Sequence, residues 1–376
     1  MAEKKTIAFY CSSLTKGGAE RVFANLAEYF TEKGYTVYMV TQYKQEDEYC
    51  LKPGITRILS DITPGEEKNG RIGNFFARFF KLRNIFKKIK PDIVFSCNGK
   101  NNFMAQCTSM GLHCKTVVSV VADPKMEYPT GLMRLLAKVL FRFADGIVFQ
   151  TKEAMDFFPK AVRKKGVILP NSLNPQFIRE RFEGEREKKI VAVGRLDDNK
   201  NHAMLLEAFA EIKEDFPDYR VVIYGEGEDR SKLEKLVAKR KLDGRVSLPG
   251  RTDKIEEKIY KSSLFVMTSD TEGMPNALIE AMSLGLCVIS TDCPCGGPRE
   301  LITPGKNGYL VPVRDTEALK EQLVYCLSHP EETEEVGREA ARIQESMAPD
   351  SVNRKWEEYF GKVMGYNADF DYCGSL

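Results

Sequence analysis

Two glutamates in the carboxy-terminal half of the chain, Glu272 and Glu280, have the spacing of a ligand-binding pair. They are separated by seven residues that include Gly273 and Pro275. The apolar run 264–268 before them is typical of a strand, and the run after them is typical of a helix, whose first turn tolerates proline. Such a strand, turn and helix direct unpaired backbone N–H groups and the positive end of the helix dipole at one point, which favours a phosphate.

The distance along the predicted helix then separates two binding functions. Glu280 lies about a turn and a half beyond the helix start, roughly 7 Å at 1.5 Å per residue. A diphosphate at the helix tip would therefore place an attached ribose near Glu280, whereas Glu272 would face the group on the terminal phosphate. The spacing predicts a site for a nucleoside diphosphate that carries a sugar.

Two cations, Arg195 and Lys200, follow the predicted strand 190–193. A diphosphate leaving group carries about two to three negative charges; arginine binds two phosphate oxygens at once, and lysine supplies a compact charge. The same two residues also fit a solvated loop. The nearby glutamate pair favours the diphosphate interpretation.

The glutamate pattern, with Gly-x-Pro after the first glutamate, resembles the signature of retaining glycosyltransferases with the GT-B fold. It is most similar to the large bacterial glycosyltransferase family 4, the group 1 glycosyl transferases. The resemblance is strong over about residues 190–312 and looser in the amino-terminal half. The segments that carry it in the family's order are 193–201, 224–227, 248–251 and 307–311, with 16–21 and 144–151 in the first half.

This resemblance implies roles for individual residues. Arg195 and Lys200 would contact the diphosphate, Glu272 would position the hydroxyl groups of the sugar, and Glu280 would bind the ribose. The expected catalytic residues are Asp123, Arg195, Lys200 and Glu272. The other expected donor-binding residues are Gly17, Gly18, Gly225, Gly250, Arg251, Gly273, Met274, Pro275, Asn276 and Ala277.

One position departs from the family. Many relatives carry a histidine in the loop after the fourth strand of the first domain, and here the stretch 119–124 has none. Asp123 is the ionisable side chain in that loop, and it could bond a sugar or acceptor hydroxyl or simply cap the turn. His202 is expected to begin a helix and to have no part in catalysis.

Strand-like and helix-like segments alternate twice along the chain, which predicts two parallel, doubly wound sheets. A connector at 170–175, rich in Pro and Asn, is followed by a charged stretch and marks a boundary. We expect an α/β protein of the GT-B class, with two Rossmann-like domains that face each other across a cleft. The first, 1–170, would bind the acceptor and be completed by the helical segment 351–376. The second, 171–350, would bind the donor. The predicted strands of the first domain are 6–11, 36–41, 92–96, 116–120, 146–150 and 167–169. Those of the second domain are 190–193, 220–223, 246–248, 264–267 and 288–291.

Composition limits the remaining classes. The chain has 376 residues and a net charge of +2, so nothing global demands a nucleic-acid partner. No run of eighteen apolar residues predicts a membrane span, and the first strand follows the start too closely for a signal peptide. The ten cysteines are scattered, and even the close pair Cys293 and Cys295 lacks zinc-ligand spacing, which favours reduced thiols in a cytoplasmic protein. No metal cofactor is expected, since Asp369 and Asp371 form the one Asp-x-Asp and lie in a terminal tail.

The segment 71–90 contains seven basic and no acidic residues, interleaved with phenylalanines. The segment 131–144 is similar, with Arg134, Lys138 and Arg142 four residues apart among apolar residues. Basic amphipathic helices with exposed aromatic residues bind anionic membranes. The alternative is that both helices pack on the sheet and show only a basic outer side. We favour membrane contact, which would suit a lipid-linked acceptor at the inner face of the cell membrane.

The expected activity is transfer of a hexose or N-acetylhexosamine from a nucleoside diphosphate sugar, preferably a UDP-sugar, to a hydroxyl of a glycan acceptor, with retention of anomeric configuration. Cell-surface polysaccharide or glycoconjugate synthesis is the expected setting. A GT-B-like epimerase or hydrolase of nucleotide sugars, and a non-catalytic subunit that binds them, remain as alternatives.

Overall fold

The computed structural model describes residues 5–15, 17–67 and 70–365. These residues form two compact units. One runs up to Pro170 and resumes at Asp350, and the other comprises Asn171–Pro349. Each unit is a fully parallel sheet covered by helices, so the predicted α/β class with two Rossmann-like units is confirmed.

The first unit contains seven strands in the order β3-β2-β1-β4-β5-β6-β7. The strands are β1 (Thr6–Cys11), β2 (Thr36–Thr41), β3 (Ile55–Leu59), β4 (Ile93–Cys97), β5 (Lys115–Val120), β6 (Gly146–Phe149) and β7 (Gly166–Ile168). The helices are α1 (Gly18–Glu32), α2 (Gly70–Ile89), α3 (Gly99–Ser109), α4 (Pro124–Glu127), α5 (Gly131–Leu140), α6 (Lys152–Asp156) and α7 (Lys160–Arg163).

The second unit contains six strands in the order β10-β9-β8-β11-β12-β13. The strands are β8 (Glu187–Val193), β9 (Arg220–Tyr224), β10 (Val246–Gly250), β11 (Ser262–Met267), β12 (Cys287–Thr291) and β13 (Tyr309–Val311). The helices are α8 (His202–Ile212), α9 (Arg230–Lys239), α10 (Ile255–Ile259), α11 (Asn276–Ser283), α12 (Gly297–Leu301), α13 (Thr316–Ser328), α14 (Pro330–Ala340) and α15 (Ile343–Met347); α16 (Pro349–Met364) follows.

The last helix, α16, packs on the sheet of the first unit beside α1. Phe360 stacks on Phe30 with ring centroids 5.2 Å apart, and Trp356 lies 5.2 Å from the ring of Phe95 on β4. The Tyr359 hydroxyl accepts a hydrogen bond of 2.7 Å from the Ile147 backbone N–H. Apolar burial and this bond attach the end of the described chain to the first core.

The opposite side of the first sheet is covered by α2 and α3, with Leu82, Phe86 and Ala105 buried against β1 and β4. In the second sheet, α8, α9 and α13 cover one side and α11, α14 and α15 the other. None of the described helices combines the length and apolar composition that a membrane-spanning helix requires.

Each sheet has one point where the chain reverses its direction of strand addition: between β1 and β4 in the first unit, and between β8 and β11 in the second. The loops that leave the carboxyl ends of these neighbours run to opposite sides of the sheet, and a crevice forms between them. The topology therefore marks the segments after β8 and β11 as the place to look for a ligand site in the second unit.

Two edge strands, β3 and β13, were not predicted from the sequence. β3 lies at the edge of its sheet and is only partly buried, so it lacks the continuous apolar run of a central parallel strand. β13 is three residues long and pairs with β12 alone. The helix after β11 also begins one residue later than expected, because Pro275 is its N-cap and Asn276 its first residue.

Candidate functional site

Two loops of the second unit meet at the carboxyl ends of β8 and β11. The Asp270 backbone N–H donates to the Asn199 carbonyl over 2.7 Å, and the Asn199 side chain donates to the Thr271 carbonyl over 3.1 Å. The Thr268 hydroxyl donates to the carbonyl of Lys200 over 3.0 Å. These bonds hold the loop after β8 against the loop that carries the first glutamate.

Lys200 and Glu272 form an ion pair in this crevice. Their side chains are only 19% and 13% exposed, so the pair is largely shielded from water. The Glu272 backbone N–H also donates to the Pro294 carbonyl over 2.9 Å, which fixes the start of the turn. The structure thus brings together the cation and the carboxylate that the sequence had proposed for diphosphate and sugar.

Arg195 lies on the same loop as Lys200 but extends into solvent. Its side chain is 67% exposed, and its Nη2 atom lies 2.9 Å from Oδ2 of Asp197. Asp197 also accepts the Lys200 backbone N–H over 3.0 Å. An exposed pair of this kind contributes little to stability, so the guanidinium can exchange its partner for a phosphate at small cost.

The turn 273–275 delivers the amino end of α11 to the same crevice. No side chain caps this end, because its N-cap is Pro275, and the first backbone N–H groups of a helix have no partner within the helix. Asn171, at the start of the second unit, holds the turn: its Nδ2 lies 2.9 Å from Oδ1 of Asn276 and 3.3 Å from the Met274 carbonyl. Sequence reasoning missed Asn171, whose only signal was its place in the Pro/Asn connector.

Glu280 is the fifth residue of α11 and is buried. It stands four residues after Asn276, and residues at this spacing lie on the same side of a helix. Ala277, between them, is partly buried in the first turn. A carboxylate therefore lies one turn behind the open helix end, where the sequence had placed the ribose-binding group.

Two glycines in the loop after β9 pack against the backbone of the loop after β8. A Cβ atom on Gly225 would lie 1.8 Å from the Gly194 carbonyl oxygen, and one on Gly227 would lie 2.2 Å from the Leu196 carbonyl oxygen. These two loops therefore need glycine to fit together. The Gly225 N–H also donates to the carbonyl of Gly250, the last residue of β10, over 3.1 Å, so Gly250 and the exposed Arg251 lie at the same end of the sheet.

Gly297, another residue that sequence reasoning missed, supports the glutamate turn. A Cβ atom there would lie 1.6 Å from the carbonyl oxygen of Gly273. The backbone of Gly273 thus depends on a side chain being absent at the start of α12. The Gly-Gly-Pro at 296–298 was the available signal.

The candidates in the first unit lie at helix starts. Gly17 is the N-cap of α1 and Gly18 is its first residue. Asp123 is the N-cap of α4, where its Oδ1 accepts the Lys125 backbone N–H over 2.9 Å. Of the two roles left open for Asp123, capping is therefore the one that its contacts display.

The carboxylate of Glu127, which was not singled out in the sequence, lies beside the same loop. Its Oε2 accepts the backbone N–H groups of Val121 and Ala122 over 3.1 and 3.3 Å, and its Oε1 accepts the Tyr128 hydroxyl over 3.1 Å. Burial raises the pKa of Glu127 to about 7, against the lowering effect of these hydrogen bonds. No sequence signal distinguishes it, because a glutamate in a short helix is usually exposed.

His202 begins α8, which confirms its expected place at a helix start. Its Nε2 lies 3.2 Å from the Arg195 carbonyl oxygen. Burial lowers the pKa of His202 to about 4, and the charge of Lys200 lowers it further. The ring is therefore neutral at physiological pH and supports the loop that carries both cations.

The described residues contain no group of three or more His, Cys, Asp and Glu side chains that could hold a metal ion. Asp369 and Asp371, the Asp-x-Asp considered in the sequence, lie outside the described residues. The cysteines within the described ranges are free thiols, and both Cys293 and Cys295 are buried.

Two family profiles match the chain in succession. The one described as Glycosyltransferase Family 4 matches residues 16–177, and the one described as Glycosyl transferases group 1 matches residues 174–343. Together the two profiles span residues 16–343, and the chain belongs to the glycosyltransferases that they describe. The family resemblance predicted from the motifs is therefore confirmed, and so is the predicted GT-B fold class.

Relatives of this glycosyltransferase cover nearly its whole length. A Campylobacter jejuni protein named GalNAc-α-(1→4)-GalNAc-α-(1→3)-diNAcBac-PP-undecaprenol α-1,4-N-acetyl-D-galactosaminyltransferase is 25% identical over 95% of this chain and 98% of its own. Sucrose-phosphate synthase from Thermosynechococcus elongatus matches the fold with a TM-score of 0.81 and 18% identity, covering 96% of this chain and 99% of that one. Anabaena Alr3699/HepE, solved with UDP and glucose, matches with a TM-score of 0.79 and 16% identity, covering 95% of this chain and 100% of its own.

Proposed function

We propose that this glycosyltransferase moves a hexose or an N-acetylhexosamine from a UDP-sugar to a hydroxyl of a glycan acceptor, with retention of anomeric configuration. The observation that carries the proposal is the meeting of Lys200, Glu272 and the open amino end of α11 at the reversal point of the second sheet. Anabaena Alr3699/HepE, of similar fold, has been solved with UDP and glucose, which supports UDP as the nucleotide to test first.

The donor would bind by exchanging charges that are already in place. The diphosphate replaces Glu272 as the partner of Lys200 and Asp197 as the partner of Arg195, while the first N–H groups of α11 donate hydrogen bonds to a phosphate oxygen. Glu272 then has a carboxylate available to accept hydrogen bonds from the sugar hydroxyls. Glu280, one turn along α11, accepts the ribose hydroxyls.

The reaction forms a bond between the anomeric carbon and the acceptor oxygen, and it breaks the bond between that carbon and the β-phosphate oxygen. The acceptor hydroxyl attacks from the side that the nucleotide leaves, and a leaving phosphate oxygen takes its proton. The protein's contribution is then orientation and electrostatic stabilisation of the leaving diphosphate by Arg195, Lys200 and the helix end. No metal ion is required in this scheme.

The acceptor that we propose is a glycan carried on a lipid diphosphate. The Campylobacter jejuni relative carries an undecaprenol-diphosphate glycan in its name, which supports a similar class here. Such an acceptor would bring the enzyme to the inner face of the cell membrane as a peripheral protein, in the synthesis of a cell-surface polysaccharide or glycoconjugate.

Thermal unfolding with a panel of UDP-, GDP- and ADP-sugars tests the donor, since a ligand that binds the folded state raises its stability. We expect the largest rise in Tm with a UDP-sugar, followed by transfer to a glycan acceptor with an α-configured product by NMR. An inverted product would overturn retention, and the absence of any shift would overturn the donor site. Release of free sugar without acceptor would instead favour a hydrolase or epimerase, and binding without turnover a non-catalytic subunit.

A further inference from the structure

Two helices of the first unit, α2 and α5, leave large apolar side chains in solvent. On α2, Ile72, Phe75, Phe76 and Phe80 are each more than half exposed. They recur at intervals of three and four residues, so they share one side of the helix. Phe76 contacts both neighbours, with ring centroids 5.6 Å from Phe75 and 6.5 Å from Phe80. The side chains thus form a continuous aromatic ridge.

The two halves of α2 differ in burial. Leu82 and Phe86, in its carboxy-terminal half, are buried against the sheet. Arg83 fastens the same half to the end of α3, donating to the Thr108 and Met110 carbonyls over 2.8 and 2.7 Å. The first half of the helix keeps the apolar composition of a buried helix but is left exposed.

In α5 the outward side is itself apolar. Leu132, Leu135, Leu136 and Val139 have the spacing of one helix side and are all exposed, whereas Ala137 on the other side is buried. Phe143, just beyond the helix, is also more than half exposed. A surface helix of a monomeric protein normally turns its apolar side inward, so the reversed arrangement indicates a binding surface.

Both helices pack against α3, so the two apolar ridges lie in the same helical layer of the first unit. Phe103 of α3 is in ring contact with Phe141, which directly follows α5, at 6.0 Å. The two ridges, taken together, are called the α2–α5 surface below. Met110, directly after α3, is also half exposed.

Basic residues outnumber acidic ones beside these ridges; acidic partners of α2 are Asp61, paired with Arg78, and Glu66, paired with Lys81. Arg71, Lys87 and Lys88 on α2 are exposed, and segment 71–90 contains no acidic residue. Arg134, Lys138 and Arg142 stand four apart beside the apolar side of α5, and Lys138 lies over the Phe157 ring at 4.3 Å. An apolar centre with a basic border is complementary to an anionic bilayer, in which lipid phosphates meet the cations and acyl chains receive the aromatic groups.

We propose that the α2–α5 surface is the membrane-docking surface of this protein, and that its occupant is an anionic phospholipid bilayer. The aromatic ridge of α2 and the leucine ridge of α5 enter the interface together, with the basic residues at headgroup level. The role of this surface, which is to bring the enzyme to a lipid-linked acceptor, rests on the proposed function. Membrane binding itself can be tested without measuring turnover.

Sedimentation with vesicles of phosphatidylglycerol and phosphatidylethanolamine tests the proposal on the full chain. We expect binding at low salt that weakens with added salt and is weak on vesicles of phosphatidylcholine alone. Replacing Phe75, Phe76 and Phe80 together by serine should weaken vesicle binding at least about tenfold, since each large apolar group contributes through the area it buries. L132S/L135S should weaken it similarly, and charge reversal of Arg71, Lys87 and Lys88 should remove the salt-sensitive part.

I178S is the control, because it removes an exposed apolar side chain that belongs to the second unit and to neither of these helices. Its vesicle binding should equal that of the parent, and all variants should keep the parent's Tm and its response to UDP. Failure of the parent to bind anionic vesicles, or equal binding by parent and ridge variants, would overturn the proposal. So would concentration-dependent dimerisation abolished by the ridge variants, since a second copy would then be the occupant.

Activity separates this proposal from the proposed function. The ridge variants should keep parental turnover with a water-soluble acceptor glycan and lose it, about tenfold or more, with a lipid-linked acceptor in anionic vesicles. Vesicle binding without any glycosyl transfer would support the docking surface and contradict the proposed function. Transfer without vesicle binding would do the reverse.

Discussion

The ion pair between Lys200 and Glu272 sets a condition on the proposed donor binding, because a diphosphate would have to displace a carboxylate from the ammonium group. Removing either partner alone would leave a largely buried charge without its counterpart, which is costly. In the proposed complex the exchange is favourable, because a diphosphate carries more negative charge than the carboxylate it replaces. Glu272 would then be available to the sugar of the donor.

Glu280→Ala tests the ribose assignment. A hydrogen bond to a charged group contributes roughly 1.5–3 kcal/mol, so nucleotide affinity should fall on the order of 10- to 100-fold. Isothermal titration with UDP measures the change. Glu321→Ala, which removes an exposed carboxylate from α13 of the same unit, should leave the affinity unaltered. Parental affinity in Glu280→Ala would contradict the assignment.

His202 makes part of the stability of the second unit depend on pH. Its pKa falls from 6.5 to about 4 on folding, so the unfolded chain binds the proton more readily. The contribution of His202 to the unfolding free energy is complete above pH 6.5. It declines as the pH falls toward 4 and does not change further below that pH. At about 1.4 kcal/mol per pKa unit, the loss between pH 7 and pH 4.5 is about 2.5 kcal/mol.

Denaturant unfolding of the parent and of His202→Gln at both pH values isolates this contribution. The drop in unfolding free energy between pH 7 and pH 4.5 should be smaller in His202→Gln by that amount. Glu127 acts in the opposite sense, because its pKa is raised from 4.5 to about 7 and its stabilisation is lost as the pH rises between these values. It is present in both proteins and cancels in the comparison. Equal drops would show that His202 is not desolvated as described.

At the scale of elements, the site depends on how closely loops approach one another. The turn that carries Glu272 rests on the first residue of α12, and the loop after β9 approaches the backbone of the loop after β8 too closely for a Cβ atom to fit. Both contacts join segments distant in sequence. They position the loops of the candidate site by steric fit, together with the side-chain hydrogen bonds of Asn171 and Asn199.

Gly297→Ala should displace the glutamate turn. The new Cβ would lie 1.6 Å from the Gly273 carbonyl oxygen, so the backbone must move, at a cost on the order of 1–3 kcal/mol. We expect a lower Tm together with weaker UDP binding. Gly65→Ala meets no atom within 4 Å and should change neither quantity. A Gly297→Ala protein with parental affinity would show that the turn position is not critical.

The helix α16 should contribute strongly to the first unit. Trp356 is buried against Phe95 and Phe360, and replacing it by alanine should cost about 3–5 kcal/mol of unfolding free energy. Chemical denaturation measures the change, with the exposed Lys362→Ala as its control. UDP affinity measured at low temperature should be retained, since the proposed donor site belongs to the second unit. A destabilisation below about 1 kcal/mol would contradict the packing described here.

Across the whole molecule, positive and negative charges nearly balance, but the cations are concentrated in particular segments. The net charge is +2, while α2 and the loop after β8 concentrate cations where an anion is proposed. In the proposed chemistry, protein cations and a helix end supply the charge that a divalent metal would otherwise provide.

We therefore expect glycosyl transfer to continue in EDTA at close to the untreated rate. The measurement is initial velocity with and without chelator, followed by addition of Mg²⁺ or Mn²⁺. A known metal-dependent glycosyltransferase, assayed in parallel, shows that chelation is effective. Loss of turnover in EDTA that either metal restores would contradict the scheme.

Much of this architecture was predictable from local sequence. Central parallel strands such as β1 and β11 are buried on both sides and therefore read as continuous apolar runs. The glutamate turn was predictable because glycine, proline and a following apolar run restrict the backbone. The edge strands β3 and β13 were missed because they are half exposed or very short.

The fold class, the family and the residue types of the candidate site could be read from the chain alone, since these follow from residue identities and short-range spacing. Four features required the folded structure: Lys200 pairs with Glu272, Gly297 supports the turn, Glu127 accepts the backbone N–H groups of Val121 and Ala122, and α5 turns its apolar side outward. Each of these depends on contacts between segments far apart in the chain. Burial and pairing are properties of such contacts, and no local pattern of residues contains them.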